Sequence, residues 1–187
     1  TGCTSTFRAH TMPTDATAHP GGQQSPLWHN GWYRWAHCVP SPNFGARPAA
    51  AVIDLAVIHS ISLPPGQYGT GAVQALFTNV LDWDAHPYFA RIRGLRVSAH
   101  FFVARNGAVW QFVSADARAW HAGVSRYRGR DNCNDDSIGI ELEGLEGDCF
   151  EAVQYQALAV LLHALAQAYP LRHVAGHEHI APGRKAD

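Results

Sequence analysis

Apolar and polar positions alternate most clearly over Asp136-Ser137-Ile138-Gly139-Ile140-Glu141-Leu142-Glu143-Gly144, where Ile138, Ile140 and Leu142 keep the period of two of a half-buried strand. The same period sends Glu141 and Glu143 to the opposite face. They either line a cleft or are simply solvated. Leu55-Ala56-Val57-Ile58-His59 is a second apolar run of strand length. Its histidine stands at the edge of the loop Ser60-Ile61-Ser62-Leu63-Pro64-Pro65-Gly66. Between Gly71 and Leu81 the apolar residues Val73, Leu76, Phe77 and Val80 recur at helical spacing, which predicts a short helix. The runs Val97–Ala104 and Val109–Val113 flank Asn106-Gly107, a dipeptide that predicts a hairpin with a type I′ turn. From Glu151 to Ala168, Val153, Leu158, Leu161, Leu162 and Leu165 form one helical stripe, stopped by Pro170. Trp120-His121-Ala122-Gly123 and the run from Arg126 to Asp136 show no period and read as a long loop. The stretch from Val174 to Asp187 reads as a polar terminal loop. Strands interspersed with helices and a hairpin predict an α/β fold, a single domain with a mixed central β-sheet flanked by α-helices.

Composition sharpens this picture. Residues 1–30 are rich in Thr, Pro, Gly, Gln and His, a composition expected to lack order, and the packed domain is expected over 31–187. At 187 residues and 47% hydrophobic, the chain suits one domain with a substantial core. A formal charge of −1 provides no general attraction to nucleic acid or anionic lipid, and no apolar run reaches the ~20 residues of a membrane span. A monomer is expected. Cys3, Cys38, Cys133 and Cys149 have no Cys-x-x-Cys spacing and read as free thiols in a cytoplasmic protein, with two disulfides as the alternative in a secreted one. Thr1-Gly2-Cys3 is either a chance sequence or the end of a lipoprotein cleavage site with Cys3 lipidated.

Twelve histidines against 14 Lys+Arg favour a metal site. Catalytic zinc takes three protein ligands and leaves a fourth position to water, and the candidates are His59, His177 and Asp187. Taken singly, His59 could be a satisfied strand-end histidine, His177 and His179 surface residues, and Asp187 a solvated terminus. A carboxylate fixed on a strand beside a metal, as Glu141 would be, is suited to act as a general base.

The segments Val57–Gly66, Arg96–His100, Ala119–Gly123, Cys133–Asp135, Ser137–Gly144 and Gly176-His177 through Asp187 occur in that order. In them the chain, from about Gly31 to Asp187, resembles the AmpD-type anhydro-N-acetylmuramoyl-L-alanine amidases. The resemblance implies the amidase-2 and peptidoglycan-recognition fold and a Zn2+ amidase with His59, His177 and Asp187 as ligands. It further implies Glu141 as catalytic glutamate and Lys185 as catalytic lysine. The substrate it implies is an anhydromuropeptide, cut between the lactyl group of anhydromuramic acid and L-Ala of the stem peptide in cell-wall recycling. Trp120 and His121 are then expected to hold substrate. Arg96 either grips a peptide carboxylate or serves as an ion-pair partner. The sequence departs from the family in its long leading segment, in Asn132 where some members have Arg, and in stopping at the third ligand, as a chain truncated at its C-terminus would. Alternatives of another class are a module that binds peptidoglycan fragments without cutting them, and a secreted or lipid-anchored amidase acting on intact wall.

Overall fold

The computed structural model describes residues 10–11 and 27–184. Seven strands form its main sheet: β1 (His10–Thr11), β2 (His37–Cys38), β3 (Leu55–Ile61), β4 (Phe101–Val103), β5 (Val109–Gln111), β6 (Ser137–Glu143) and β7 (His173–Gly176). The helices are α1 (Ala72–Phe77), α2 (Pro87–Arg91), α3 (Ala152–Ala168) and α4 (His177–Ile180). The spatial order is β1-β7-β3-β6-β4-β5-β2. Strands β7, β3, β6 and β4 run parallel to their neighbours, while β1 on β7 and β5 on β4 are antiparallel. This is the mixed sheet expected.

The side-chain period of two sorts the central strands between the two faces of the sheet. Ala56, Ile58, Ile138, Ile140 and Leu142 pack with Leu158, Leu161 and Leu165 of α3. On the other face Leu55, Val57 and Ala175 meet Ile180 of α4, and Phe102 and Phe112 meet Val73, Leu76 and Phe77 of α1. All seven residues of β6 are buried, so the half-buried strand expected there is corrected. A central parallel strand is covered on both sides. Arg130 bridges Asp54 and Asp136, at 2.7 and 3.0 Å, just ahead of β3 and β6. It thereby ties together the amino ends of the two strands.

α3 begins where expected. Glu151 and Gln154 form a capping box, and the Gln154 amide, fully buried, also donates to the carbonyls of Val103 (3.1 Å) and Glu143 (3.0 Å). The hairpin β4–β5 is present, but its turn differs from the one expected. Only Gly107 has positive φ, and the bonds Gly107 N–H to Ala104 O (2.8 Å) and Ala104 N–H to Ala108 O (2.9 Å) describe a type I turn closed by a glycine bulge. The Asn-Gly turn with positive φ at both residues is Asn30-Gly31, between Trp28–His29 and Trp32–Tyr33. Trp28 is buried in the core, inside the stretch expected to lack order, and β1 also falls within that stretch. Residues 1–9 and 12–26 lie outside the described residues. The expected long loop contains a two-residue ribbon, Arg126–Tyr127 with Arg130–Asp131, turned by Arg128-Gly129 at positive φ. The expected polar terminal loop is instead β7 followed by α4. Cys149 is disulfide-bonded, which corrects the reading of four free thiols, whereas Cys38 and Cys133 are free. No helix among the described residues is long and apolar enough to cross a membrane.

Candidate active site

Parallel strands bring their carboxyl ends to one edge, and in open α/β sheets that edge is where ligands bind. His59 is the fifth residue of β3, on the face of Leu55 and Val57, and Glu141 of β6 stands directly opposite it in the ladder. Gly176 pairs with Ile58, so the next residue, His177, comes off the end of β7 beside His59. The two rings are nearly perpendicular, with Nδ1 facing Nδ1 at 2.9 Å. Both are buried, as is Glu141. His179, two residues on, plays a different part, because its Nδ1 accepts the Gly176 N–H at 3.2 Å, at the start of α4. Glu143 is buried at the end of β6, where its carboxylate accepts the backbone N–H groups of Gly69 (2.6 Å) and Arg105 (3.0 Å). Of the two carboxylates on this face, Glu143 is thus committed to loop anchoring, and Glu141 lines the cleft.

Behind the histidine pair lies a layer of contacts that sequence reasoning did not foresee, although it named His121. His121 Nδ1 is 2.9 Å from His59 Nε2, and His121 Nε2 is 3.2 Å from Ser137 Oγ. A Cβ on Gly139 would lie 2.3 Å from the His121 ring, so only glycine leaves room for it. The loop carrying His121 is pinned by Asn134, whose Oδ1 accepts from the N–H groups of His121 (3.1 Å) and Ala122 (2.8 Å). Next to it, His100 Nδ1 accepts the Gly139 N–H, and the Arg47 guanidinium lies 3.1 Å from His100 Nε2. Arg47 also donates to the carbonyls of Asn134, Asp135, Ala115 and Ser137. Burial, reinforced by the Arg47 charge, lowers the His100 pKa to about 3. Burial, with His59, His100, His177 and Arg47 nearby, also holds His121 well below the usual imidazole range. Both rings are neutral at physiological pH. Burial lowers Arg47 only to about 10, so it stays charged. His100 and Ser137 lie in the segments Arg96–His100 and Ser137–Gly144 without being singled out there, and Arg47 carries no local pattern that would have marked it.

A cleft of about 350 Å³ opens at this edge, lined by His59, His177, Glu141, Trp120 and His121 among others. Trp120 and His121 therefore lie where a substrate could touch them. Arg96 is exposed between Leu95 and Val97, two lining residues. Asn132, the departure from the family pattern, accepts from Arg118 (2.9 Å) and donates to Asp135 (3.0 Å). Lys185 and Asp187 lie outside the described residues. Among the described residues no three His, Cys, Asp or Glu side chains are grouped to hold a metal, and the described part of the expected set is the pair His59 and His177. Two ligands of tetrahedral zinc at about 2.0–2.1 Å stand about 3.3–3.4 Å apart, so a small opening of this pair would admit the ion.

Comparison with known proteins supplies the chemistry. The family model described as N-acetylmuramoyl-L-alanine amidase (Amidase_2) matches residues 49–187. The 1,6-anhydro-N-acetylmuramyl-L-alanine amidase AmpD of Escherichia coli K12 is 50% identical over 163 residues, 86% of this chain and 89% of the relative. A crystal structure of a Se-Met AmpD derivative superposes with a TM-score of 0.81 at 49% identity, covering 86% of this chain and 91% of that one. E. coli AmiD, solved with anhydro-N-acetylmuramic acid-L-Ala-D-γ-Glu-L-Lys, gives a TM-score of 0.52 at 32% identity over 75% of this chain and 55% of that one. Sheet, cleft and kinship thus converge, and the chain belongs to the N-acetylmuramoyl-L-alanine amidase family.

Proposed function

We propose that the cleft hydrolyses the amide between the lactyl group of 1,6-anhydro-N-acetylmuramic acid and L-Ala of the stem peptide, with zinc held by His59, His177 and Asp187. The observation that carries the reading is the buried pair of facing Nδ1 atoms beside Glu141. When bound, zinc supplies Lewis acidity toward the scissile carbonyl and toward water. Glu141 accepts a proton from the attacking water and returns it to the departing amine nitrogen of L-Ala. Lys185, two residues before Asp187, carries an ammonium suited to stabilise the oxyanion on the scissile carbonyl carbon. Trp120 offers an apolar wall to the sugar or peptide, and Arg96, exposed at the rim, can receive a stem-peptide carboxylate. The deciding experiment incubates the protein with anhydromuropeptide, with and without a zinc chelator, and identifies products by mass spectrometry. Free anhydro-N-acetylmuramic acid and intact peptide are expected, with zinc restoring activity after chelation. Binding without cleavage would make it a recognition module, and cleavage indifferent to chelation would remove the metal.

An anhydromuropeptide is a fragment taken back for recycling, and this supports the reading of a cytoplasmic enzyme, expected as a monomer. One observation favours a second placement. Cys149 is disulfide-bonded, and disulfides persist in oxidising compartments. Cell fractionation with thiol trapping of Cys149 separates the two: a reduced thiol in the cytosolic fraction supports recycling, and an oxidised one outside it supports action on the wall.

A further inference from the structure

Resting on the zinc reading, we infer that His121 is a positioning residue: through Ser137 it fixes His59 in the tautomer that carries its proton on Nε2, leaving the Nδ1 lone pair for the metal. The hydrogen bonds determine this step by step. Ser137 has one hydroxyl proton and gives it to the Cys133 carbonyl at 2.5 Å. Ser137 Oγ can therefore only accept from His121 Nε2, at 3.2 Å, so the His121 proton is on Nε2 and its Nδ1 is an acceptor. That acceptor lies 2.9 Å from His59 Nε2, which must then be the protonated nitrogen of His59. The His59 Nδ1 lone pair then faces His177 Nδ1 at 2.9 Å, where it accepts the His177 proton in the metal-free protein and is open to a cation once that proton is displaced. His177 Nε2, 3.4 Å from Arg184 Nη2, can accept from the guanidinium in that tautomer. A partner on the far nitrogen of a ligand histidine fixes its tautomer and ring orientation and is worth 10–100-fold in metal affinity. The expectation that His121 holds substrate is compatible with this, since His121 also lines the cleft.

The test has two independent readouts. In metal-free wild-type protein, nitrogen-15 NMR of the imidazoles should find His59 and His121 both protonated at Nε2. A proton on Nδ1 of either overturns the relay, and this measurement needs neither a variant nor zinc. Zinc affinity by competition with a chromophoric chelator should weaken about 10–100-fold in His121→Phe, which fills the ring's place without an acceptor. His121→Asn places an amide oxygen near the position of Nδ1 and should recover most of the loss. Affinity within twofold of wild type in His121→Phe, or no recovery in His121→Asn, overturns the proposal. Wild-type protein that binds no zinc overturns the metal reading instead, and the NMR result still decides the relay.

Discussion

Glu141 and His59 stand opposite each other on adjacent parallel strands and point to the same face of the sheet. The acid is thereby held at a fixed distance from the histidine pair by backbone hydrogen bonds, which a loop could not guarantee. Glu141→Gln keeps shape and volume but cannot take a proton. It is expected to lower kcat at least about 100-fold with unchanged zinc content, measured on one batch by product release and metal analysis. A variant within threefold of wild type would move the general base elsewhere. Single residues were legible in the sequence where a motif or a strand end isolated them, as with His59, His177 and Glu141. Arg47, His100 and Ser137 were not, because their roles come from contacts with partners 16 to 90 residues away. No local spacing encodes such contacts. His121 was found, but for its place in the cleft rather than for its bond to His59.

Among the elements, α3 has the clearest tie to the site. Gln154 closes the helix cap and, with the other end of its amide, holds the carbonyls of Val103 and Glu143, where β4 and β6 end. Gln154→Ala strips the donor from both buried carbonyls and opens the cap. A loss of about 1–3 kcal/mol is expected, read as a lower denaturant midpoint at unchanged m-value. An unshifted midpoint would show that water replaces the amide. Elements with a long apolar period, α3 and the central strands, could be read from the sequence. β7 could not, because His173-Val174-Ala175-Gly176 is four residues long and gains its stability from pairing with β3. The turns were misassigned for a related reason. Asn-Gly occurs twice, and backbone twist selects a type I′ turn only at Asn30-Gly31, whereas the five-residue loop of the β4–β5 hairpin takes a type I turn and bulge.

For the molecule as a whole, burying neutral histidines makes stability depend on pH. His100 has a folded pKa of about 3, against 6.5 for the exposed side chain. Between those values the unfolded chain binds a proton that the folded chain refuses. The contribution is therefore complete above pH 6.5 and declines as pH falls toward 3, by about 1.4 kcal/mol per pH unit for each such group. His121 is displaced in the same direction and adds to the slope. Unfolding free energies between pH 7 and pH 4 should show this loss, and His100→Leu, although less stable at pH 7, should flatten the slope by about one proton. An equally steep slope in that variant would assign the effect to other groups.

The position of β3 between β6 and β7 has a further consequence, which belongs to the life of the chain before it is folded. Leu55, Ala56, Val57 and Ile58 leave the ribosome long before either neighbour exists, and His59 meets His177 from 118 positions away in the sequence. At roughly 5–20 residues per second, this apolar strand spends on the order of ten seconds as a bare, unpaired edge. Such an edge is a template for joining another chain. Fast synthesis, chaperone capture or low expression temperature should therefore govern how much soluble enzyme is obtained, more than any residue of the cleft.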